Sequence, residues 1–565
     1  MKEEIDTTNE TFFSNDEIKK IYLEEYKKGF QEFSKVLDSF FQSFSQEDPF
    51  WWVSNTVSRD PKRSSLYKNF CIILTLLKLK NIGYRPTKII TNSIAMKELI
   101  REIYGDHITE VCLNLTKENK TSKIISFLRK ANFLFCKLLQ ILLIKLFIKK
   151  ITTSKKDYLF ETFISFNSLE NRYYPKIENF VDQENQKYIT FLPIVIETRF
   201  YQLLHLINEL KRSDKKYFFR EHYLKISDLI RSVFYKNKFK GQGKVFSSSH
   251  NLNFYFLIKE SIKEEEFNSL SAEGIINYSF VKNFGTSKKR KEFPSVFVDW
   301  WENTPMDRGF SIGINNYLNE VNHKAYVGFF PNLLSNQLSP SKVEVSLGVC
   351  PKQVGVIGKY LYDHIRQINK EINIFLAPGF RFSYLDLQAK PTEQSSKERN
   401  NLLVLLPIYI EDSVNILNLL TKINNFISLN EVAIKPHPGS DFDAILKASD
   451  LNLESNFYIT DNQVEDLILS SSFVISGRSS AVIEAICLLK PVMVYNPDLF
   501  NPIRLLPELF ENELLCYFTY FEDIKQRVNF FSNKKSNTSF NKEIYNMDYF
   551  FTKPNDSNVS SLINN

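Results

Sequence analysis

The chain has 565 residues, of which 43% are hydrophobic, and its 72 lysines and arginines exceed its 65 acidic residues by seven charges. This length is more than one hydrophobic core normally spans, so two or more domains are expected. The mild positive charge argues against a nucleic-acid-binding protein, which carries a denser basic surface. The six cysteines have no C-x-x-C spacing, which indicates reduced thiols and argues against a disulfide framework or a zinc site. The N-terminus has no apolar signal segment, so a cytoplasmic protein is expected.

The first half of the chain reads as helices followed by an α/β pattern. Residues 1–85 are predicted to be helical and to form the N-terminal region of the first domain. They include WWVSNTVSRDPKR, which fits either a packed aromatic cluster or a lid over an acceptor. Residues 86–360 alternate strand and helix patterns, with predicted strands TKIITNS, TEVCLNL, DYLFETF, LNFYFLI, PSVFVDW, KAYVGFF and VGVIG. This alternation predicts a parallel sheet with crossover helices.

One basic segment interrupts this domain. Residues 123–150 are mostly apolar, and Lys123, Lys130, Lys137 and Lys145 fall on one side of a helix at 100° per residue. A basic stripe opposite a broad Leu, Ile and Phe face is typical of an amphipathic helix lying in a membrane interface. A core helix whose lysines reach solvent from one edge is the alternative. The apolar run falls short of the ~20 residues that a membrane span needs.

The second half gives a clearer pattern. Residues 361–530 alternate short apolar strands, such as NIFLAPG, NLLVLLPIYI, EVAIK and FVIS, with helix-length segments. This predicts a doubly wound domain with its ligand edge at the strand-to-helix turns. The predicted fold class is therefore α/β, with two Rossmann-like doubly wound domains facing a cleft and the basic amphipathic helix inserted in the first. Residues 531–565 are polar and rich in Asn and Ser, which predicts a loosely held tail.

The first strand end that favours ligand binding is KPHPGSD. Two prolines, Pro436 and Pro438, fix the backbone on both sides of His437. Each proline also keeps its predecessor extended, which applies to Lys435 and to His437 itself. We interpret this stiff turn as a device that presents His437 to a ligand. An ordinary turn histidine is the alternative.

The second strand end is FVISGRSSAVIEA. Here Ser479 or Ser480 can cap a helix whose first N–H groups are available to an anion, and Arg478 adds a cation. Glu484 lies one turn into the same helix, where a carboxylate fits the diol of a ribose. Together with KPHP, this predicts a phosphate site in a nucleotide-binding domain. An ordinary capped helix is the alternative.

In the first domain, the loop after PSVFVDW concentrates acidic, aromatic and basic side chains: Asp299, Trp300, Trp301, Glu302, Asp307 and Arg308. Sugar faces pack well on tryptophan, and a positioned carboxylate can remove a proton from a hydroxyl. The loop therefore predicts an acceptor site with Glu302 or Asp307 as the base. A strand-end turn with a local Asp–Arg pair and core tryptophans is equally compatible with the sequence.

KPHP, followed by S-x-x-S-S-x-x-x-E-A and K-P-V, resembles the donor half of GT-B glycosyltransferases of bacterial surface (capsule and lipopolysaccharide) polysaccharides. The pattern is similar to those of polysialyltransferases and teichoic-acid glycerophosphotransferases. It covers residues 370–500, and DWWENTPMDRG more weakly resembles the cleft region of capsule-cluster glycosyltransferases. The resemblance implies that His437, Ser479 and Ser480 hold the donor phosphate, with Glu484 near the ribose.

This resemblance implies a glycosyltransferase that uses a nucleotide-sugar donor and a glycan or lipid-linked glycan acceptor, peripheral to the inner face of the cytoplasmic membrane. The nucleotide-sugar is a substrate, and neither a cofactor nor a metal is expected. Asp441-Phe442-Asp443 matches the metal-binding D-x-D of other glycosyltransferases, but a helix cap is favoured. Val492 replaces the second glutamate of the retaining E-x7-E group, so inversion is expected. A polyol-phosphate transferase, a nucleotide-sugar 2-epimerase and a non-enzymatic membrane-associated assembly factor are the alternatives.

Overall fold

The computed structural model describes most of the chain. The described residues are 4–42, 49–61, 63–105, 110–113, 120–165, 173–181, 183–196, 199–235, 245–246, 250–264, 267–335, 337–385, 401–426, 431–449, 456–506, 514–520, 522–524, 526–527 and 547–564.

The N-terminal region contributes a small parallel sheet of its own. Its three strands pair in the order β1-β2-β3, with bounds Glu4–Asp6 (β1), Lys88–Thr91 (β2) and Glu110–Leu113 (β3). The predicted strands TKIITNS and TEVCLNL therefore form, but they do not join the larger sheet of the first domain. The aromatic-rich helices of the first 85 residues pack on this sheet.

The first large sheet has six parallel strands in the order β5-β4-β6-β7-β8-β9. Their bounds are Tyr158–Ile164 (β4), Ile189–Val195 (β5), Val296–Trp300 (β6), Asn322–Val327 (β7), Gln353–Val356 (β8) and Asn373–Leu376 (β9). The order reverses between β4 and β6, and in open α/β sheets ligands bind where the order reverses, beyond the carboxyl ends of the strands.

The second large sheet also has six parallel strands, in the order β12-β11-β10-β13-β14-β15. Their bounds are Asn401–Leu405 (β10), Glu431–Lys435 (β11), Phe457–Ile459 (β12), Phe473–Ser476 (β13), Val492–Tyr495 (β14) and Leu515–Phe518 (β15). In chain order this is 3-2-1-4-5-6, the Rossmann order, with its switch point between β10 and β13. The prediction of two Rossmann-like α/β domains facing a cleft is confirmed.

Helices connect and cover these sheets. Their bounds are Asp16–Phe41 (α1), Pro49–Trp52 (α2), Asn55–Ser58 (α3), Leu66–Asn81 (α4), Ile94–Tyr104 (α5), Lys120–Phe147 (α6), Gln183–Gln186 (α7), Phe200–Arg212 (α8), Ile226–Phe234 (α9), Tyr255–Glu264 (α10), Ser269–Gly285 (α11), Pro305–Tyr317 (α12), Lys342–Ser346 (α13), Lys359–Ile368 (α14), Ile410–Phe426 (α15), Phe442–Ala448 (α16), Val464–Ser470 (α17), Ala481–Cys487 (α18), Met547–Phe550 (α19) and Asp556–Ile563 (α20).

Two predicted strands have a different place in the structure. LNFYFLI lies mostly within α10, because Phe254, Ile258 and Ile262 recur at helical spacing and are all buried. NIFLAPG contains β9, which pairs in register with β8. This strand therefore belongs to the first large sheet and not to the second.

The end of the chain is packed rather than loosely held, in contrast to the prediction for residues 531–565. Residues 531–546 lie outside the described part. In the described part, Phe550 and Phe551 are buried against the first domain. The Lys324 ammonium donates to the carbonyl of Ser561 at 2.8 Å, which holds α20 against β7.

The basic segment forms α6, and its orientation is the reverse of the core-helix alternative, in which the lysines would reach solvent. Lys137 faces the protein, where its ammonium lies 2.5 Å from Glu273. Lys145 donates to the carbonyl of Leu224 at 2.8 Å. The solvent-facing side carries large apolar side chains instead: Ile124, Ile125, Phe127, Leu128, Phe135, Leu142, Leu146 and Phe147. None of the described helices is long and apolar enough to cross a membrane.

Candidate active site

The two motifs of the second domain meet at the switch point of its sheet. Leu405, at the end of β10, pairs with Lys435 on one side and with Ser476 on the other. The KPHP and SGRSS turns therefore flank the segment that follows β10. A Cβ on Gly477 would lie 2.6 Å from the Pro407 ring, so this approach requires glycine.

His437 is held in one orientation by its own turn. Its Nδ1 accepts a hydrogen bond from the N–H of Gly439 at 3.0 Å. The hydroxyl of Ser440 donates to the His437 carbonyl at 2.8 Å. Because Nδ1 is an acceptor, the proton of the neutral ring is on Nε2. The ring is half-buried, and in this tautomer Nε2 is the nitrogen that can donate a hydrogen bond.

Lys435 has a structural contact of its own. Its ammonium donates to the carbonyl of Asn462 at 2.8 Å. Partial burial lowers the pKa of Lys435, and the nearby Asp461 opposes this shift. The side chain thus ties β11 to the loop after β12, and the phosphate contact assigned to Lys435 stays a prediction.

The serine pair has two different roles. The hydroxyl oxygen of Ser479 accepts from the N–H of Ala481 at 3.3 Å, next to the start of α18. Ser480 makes no such cap; its hydroxyl oxygen accepts from the N–H of Phe330 at 3.4 Å. Ser480 therefore contacts the first domain. Since α18 has only seven residues, its dipole is weak, and side chains carry most of the positive charge at this turn.

The hydroxyl of Tyr409 marks the place where charged groups from both domains converge. Burial raises its pKa, the cations Arg478 and Arg63 lower it, and the carboxylates of Asp60 and Glu302 raise it. Tyr409 and Arg478 belong to the second domain, Glu302 follows β6 in the first, and Asp60 and Arg63 belong to the N-terminal region. The Arg63 guanidinium lies 2.9 Å from Asp60. We call these five residues the cleft cluster.

Glu302 is the half-exposed carboxylate of the DWWENTPMDRG loop. Its Oε1 accepts from the indole N–H of Trp300 at 3.0 Å, and its carbonyl accepts from Gln337 at 2.7 Å. The next residue, Asn303, has a φ of 54°, a left-handed conformation that Asn tolerates better than most residues. These contacts fix Glu302 at the carboxyl end of β6.

Asp307 has a different function, because it caps α12. Its carboxylate accepts from the N–H groups of Thr304 and Glu302, both at 2.9 Å. It is 2% exposed. Burial, together with the nearby Asp299 and Glu302, raises its pKa well above the usual range. This geometry favours Glu302 over Asp307 as the candidate base.

The other acceptor-side candidates lie in the interior, against the prediction. Trp301 and Arg308 are fully buried, and Trp300 is 2% exposed. Arg308 pairs with Glu344 at 2.5 Å instead of with a neighbouring aspartate. Asp299 is buried and lies 3.1 Å from the imidazole of His323. These side chains pack in the interior under the loop, so they do not form a surface on which a sugar could stack.

Glu484 lies inside the cleft wall. It is 8% exposed and accepts a short hydrogen bond from the hydroxyl of Tyr384. Burial raises the pKa of Glu484, while this bond and the cation of Arg381 oppose the shift. A ribose diol would therefore have to replace the tyrosine hydroxyl at Glu484.

The D-x-D triplet forms a helix cap, as favoured from the sequence. Asp441 accepts from the N–H of Ala444 at 3.1 Å at the start of α16.

No protein-family model matches the sequence, and no curated protein matches it. Solved structures do align with the chain. The S. aureus MnaA–UDP co-structure is 12% identical, covers 72% of this chain and 95% of its own length, and has a TM-score of 0.41. A variant of S. aureus TarM in complex with fondaparinux, alpha-GlcNAc-glycerol and UDP is 13% identical, covers 72% of this chain and 100% of its own length, and has a TM-score of 0.37. Acinetobacter baumannii MurG is 9% identical, covers 72% of this chain and 98% of its own length, and has a TM-score of 0.36. The strand orders of the two large parallel sheets establish the fold.

Sequence reasoning missed several residues of this site. Tyr384 and Arg381 follow β9, and Tyr409 follows β10. Asp60 and Arg63 lie in the SRDPKR stretch, whose preceding tryptophans, Trp51 and Trp52, are buried as a cluster. The only signal for Asp60 and Arg63 was the charge that follows this cluster. Nothing local in the sequence marks Tyr384 or Arg381.

Proposed function

We propose that this protein is a glycosyltransferase that moves a sugar from a nucleotide-activated donor to a hydroxyl of a surface glycan. The observation that supports this most is that the KPHP and SGRSS turns flank the segment after β10 at the switch point of the second sheet, where Ser480 also contacts the first domain. A donor phosphate fits beside Arg478 and the Nε2–H of His437. An acceptor hydroxyl fits beside Glu302 on the opposite wall.

In the proposed reaction, Glu302 accepts the proton of the acceptor hydroxyl, whose oxygen forms a bond to the anomeric carbon. The bond from that carbon to the donor phosphate breaks, and its electron pair leaves with the phosphate oxygen. Arg478 and His437 stabilise the negative charge that develops there. This scheme is an inverting displacement, and it requires no metal. Ser480 contributes by holding the two walls of the cleft together.

The proposed acceptor is a lipid-linked or surface glycan, because the apolar face of α6 gives the protein a surface that fits a membrane. Its exposed side chains form a stripe at helical spacing that includes Leu128, Phe135 and Leu142. Lys149 and Lys150 are exposed at the end of this stripe. Basic residues beside an exposed apolar face favour binding to an anionic lipid surface. The protein would then work at the inner face of the cytoplasmic membrane.

The direct test is calorimetric binding of CMP, CDP, UDP, GDP and ADP to the full chain and to His437→Ala. We expect one nucleotide to bind and the variant to bind it about tenfold or more weakly, because a hydrogen bond to a charged group is lost. His205→Ala is the matched control, since His205 is exposed on α8, away from the cleft. If none of the five nucleotides binds, the donor site is wrong, and a non-enzymatic role becomes the better explanation.

Incubation of the bound nucleotide's sugar derivatives without an acceptor distinguishes the enzymatic alternatives. A nucleotide-sugar 2-epimerase converts the donor into its epimer under these conditions, whereas a transferase does not. A polyol-phosphate transferase would instead select CDP and leave CMP as its product. The mass of the product formed with a glycan acceptor identifies the group that is transferred.

A further inference from the structure

The segment that follows β9 passes along the cleft on its way to the second sheet. Its backbone is fixed by the N–H of Ala377 on the Val356 carbonyl and by the hydroxyl of Tyr326 on the Pro378 carbonyl, at 2.8 and 2.7 Å. Phe380 and Phe382 are buried on either side of Arg381. The position of Arg381 is therefore set by the core of the first domain, while its side chain is half-buried.

The guanidinium of Arg381 faces both walls of the cleft. Its central carbon lies 5.7 Å from the centroid of the Trp300 ring, in a cation–π contact. On the other side its charge acts on the carboxylate of Glu484 and opposes the rise in pKa that burial causes there. Trp300 in turn donates to Glu302. Arg381 thus lies between the candidate base and the carboxylate expected at the ribose.

This cation has no ion-pair partner among the residues that the structure describes. By contrast, the buried arginines Arg308 and Arg220 of the first domain are each paired with a carboxylate at 2.5 Å. A half-buried cation that is near carboxylates but not ion-paired with one can meet an anionic ligand without first breaking an ion pair. Its planar fork suits two oxygens of one phosphate.

We propose that Arg381 binds the phosphate group that joins the nucleoside to the sugar of the donor. This rests on the proposed function. If the ribose lies at Glu484 and the anomeric carbon faces Glu302, the bridging phosphates lie between these two carboxylates, which is where Arg381 is. When the bond between the anomeric carbon and the phosphate oxygen breaks, Arg381 neutralises the charge that the oxygen gains. The cation–π contact with Trp300 helps to hold the guanidinium in place for this contact.

The test compares nucleoside and nucleoside diphosphate binding in wild type, Arg381→Ala and Arg381→Lys. The ligands are UDP with uridine, and the equivalent CDP, GDP or ADP pair where wild type prefers another base. We expect Arg381→Ala to bind the diphosphate about 10- to 100-fold more weakly and the nucleoside with unchanged affinity. Arg381→Lys keeps the charge but not the fork, so it should bind the diphosphate with intermediate affinity. Arg366→Ala, an exposed arginine of α14, is the control.

The outcomes separate this assignment from the proposed function. Normal diphosphate binding by a folded Arg381→Ala variant overturns the role of Arg381 and leaves the donor site standing. An equal loss of nucleoside and diphosphate overturns it too, because that result indicates a general distortion of the cleft. Absence of nucleotide binding in wild type overturns both proposals. Unfolding transitions monitored by circular dichroism establish that the Ala and Lys variants are folded.

Discussion

The hydroxyl of Tyr384 donates a hydrogen bond to the carboxylate of Glu484 and so joins the segment after the first large sheet to a helix of the second domain. Glu484 is buried, and this hydroxyl is the donor that the structure gives it among the described residues. The bond has two consequences, one for stability and one for nucleotide binding.

Tyr384→Phe is expected to destabilise the nucleotide-free protein and to strengthen nucleotide binding. Removing the hydroxyl leaves a buried carboxylate without its donor, which costs about 1–3 kcal/mol. If a ribose diol supplies the missing donors, nucleotide binding recovers part of this free energy. The affinity for the nucleotide then rises by the factor that corresponds to the recovered free energy. Thermal unfolding and calorimetry on the same samples measure both effects.

Tyr520→Phe is the control, since Tyr520 is about half exposed. A Tyr384→Phe variant that is less stable but binds the nucleotide no better than wild type would indicate that the ribose does not reach Glu484.

The two candidate bases are separated by the substitutions Glu302→Gln and Asp307→Asn. Glu302→Gln keeps the shape and the contact with Trp300 but cannot accept the proton, so turnover should fall about 10²- to 10⁴-fold with little change in stability. Asp307→Asn weakens the cap of α12, so the free energy of unfolding should fall by about 0.5–2 kcal/mol. Steady-state kinetics and chemical denaturation of both variants give the comparison. A larger loss of turnover in Asp307→Asn would reverse the assignment.

A buried ion-pair network joins the N-terminal region to the first domain. Glu344 pairs with Arg59 at 2.7 Å and with Arg308 at 2.5 Å, and all three side chains are buried. Glu344→Gln leaves two buried cations without a counter-charge and should lower the free energy of unfolding by about 3–5 kcal/mol. Glu371→Gln breaks the exposed pair with Lys342 and should cost under about 1 kcal/mol. Equal effects of the two substitutions in urea denaturation would contradict this difference.

The second domain was the most predictable part of the fold. Each of its strands is a short apolar run between turn residues, and parallel strands bring their carboxyl ends to one edge. Two strand ends such as KPHP and SGRSS therefore had to be near each other if both strands joined the same sheet. The hydrogen bond to Glu484 could not be predicted from the sequence, because its donor, Tyr384, lies 100 residues earlier in the chain.

The first domain was less predictable, because its errors come from long-range contacts. An amphipathic pattern indicates that a helix has two faces, but not which one meets the protein. In α6 the buried face includes Lys137, since Glu273 of α11 compensates its charge. Likewise, Trp300 ends β6, and the aromatic rings that pack on it come from distant parts of the chain: Tyr173, Tyr326 and Phe329. Neither outcome is encoded within a single window of sequence.

A buried carboxylate next to the DWWENTPMDRG loop should make stability depend on pH. Glu161 is fully buried, accepts from the backbone N–H of Trp300 at 3.1 Å, and lies near Asp307 and Asp299. Burial and these two acids raise its pKa well above 4.5. The folded state then retains a proton that the unfolded state has lost, so the free energy of unfolding should fall as the pH rises from 4.5 toward the raised pKa.

Glu161→Gln removes this titration and keeps the acceptor for Trp300, so its stability should vary less with pH over the same window. Urea denaturation at several pH values between 5 and about 8 measures the slope. Glu98→Gln, at an exposed position on α5, should leave the wild-type slope unchanged. Parallel curves for wild type and Glu161→Gln would indicate that Glu161 does not hold its proton in the folded protein.

The exposed face of α6 leads to the last prediction, which concerns binding to lipid. Phe135 and Leu142 are 66% and 47% exposed on one stripe, and burying each in a lipid interface contributes about 1.5–3 kcal/mol. Phe135→Ser and Leu142→Ser should each weaken binding to vesicles of phosphatidylcholine and phosphatidylglycerol about tenfold or more, as measured by sedimentation.

Ile459→Ser, at a 44% exposed residue of β12, should have no effect. Because Lys149 and Lys150 add electrostatic attraction, binding should also fall when phosphatidylglycerol is omitted. Equal losses in all three variants would point to general adhesion, and no loss in Phe135→Ser and Leu142→Ser would show that α6 is not the contact.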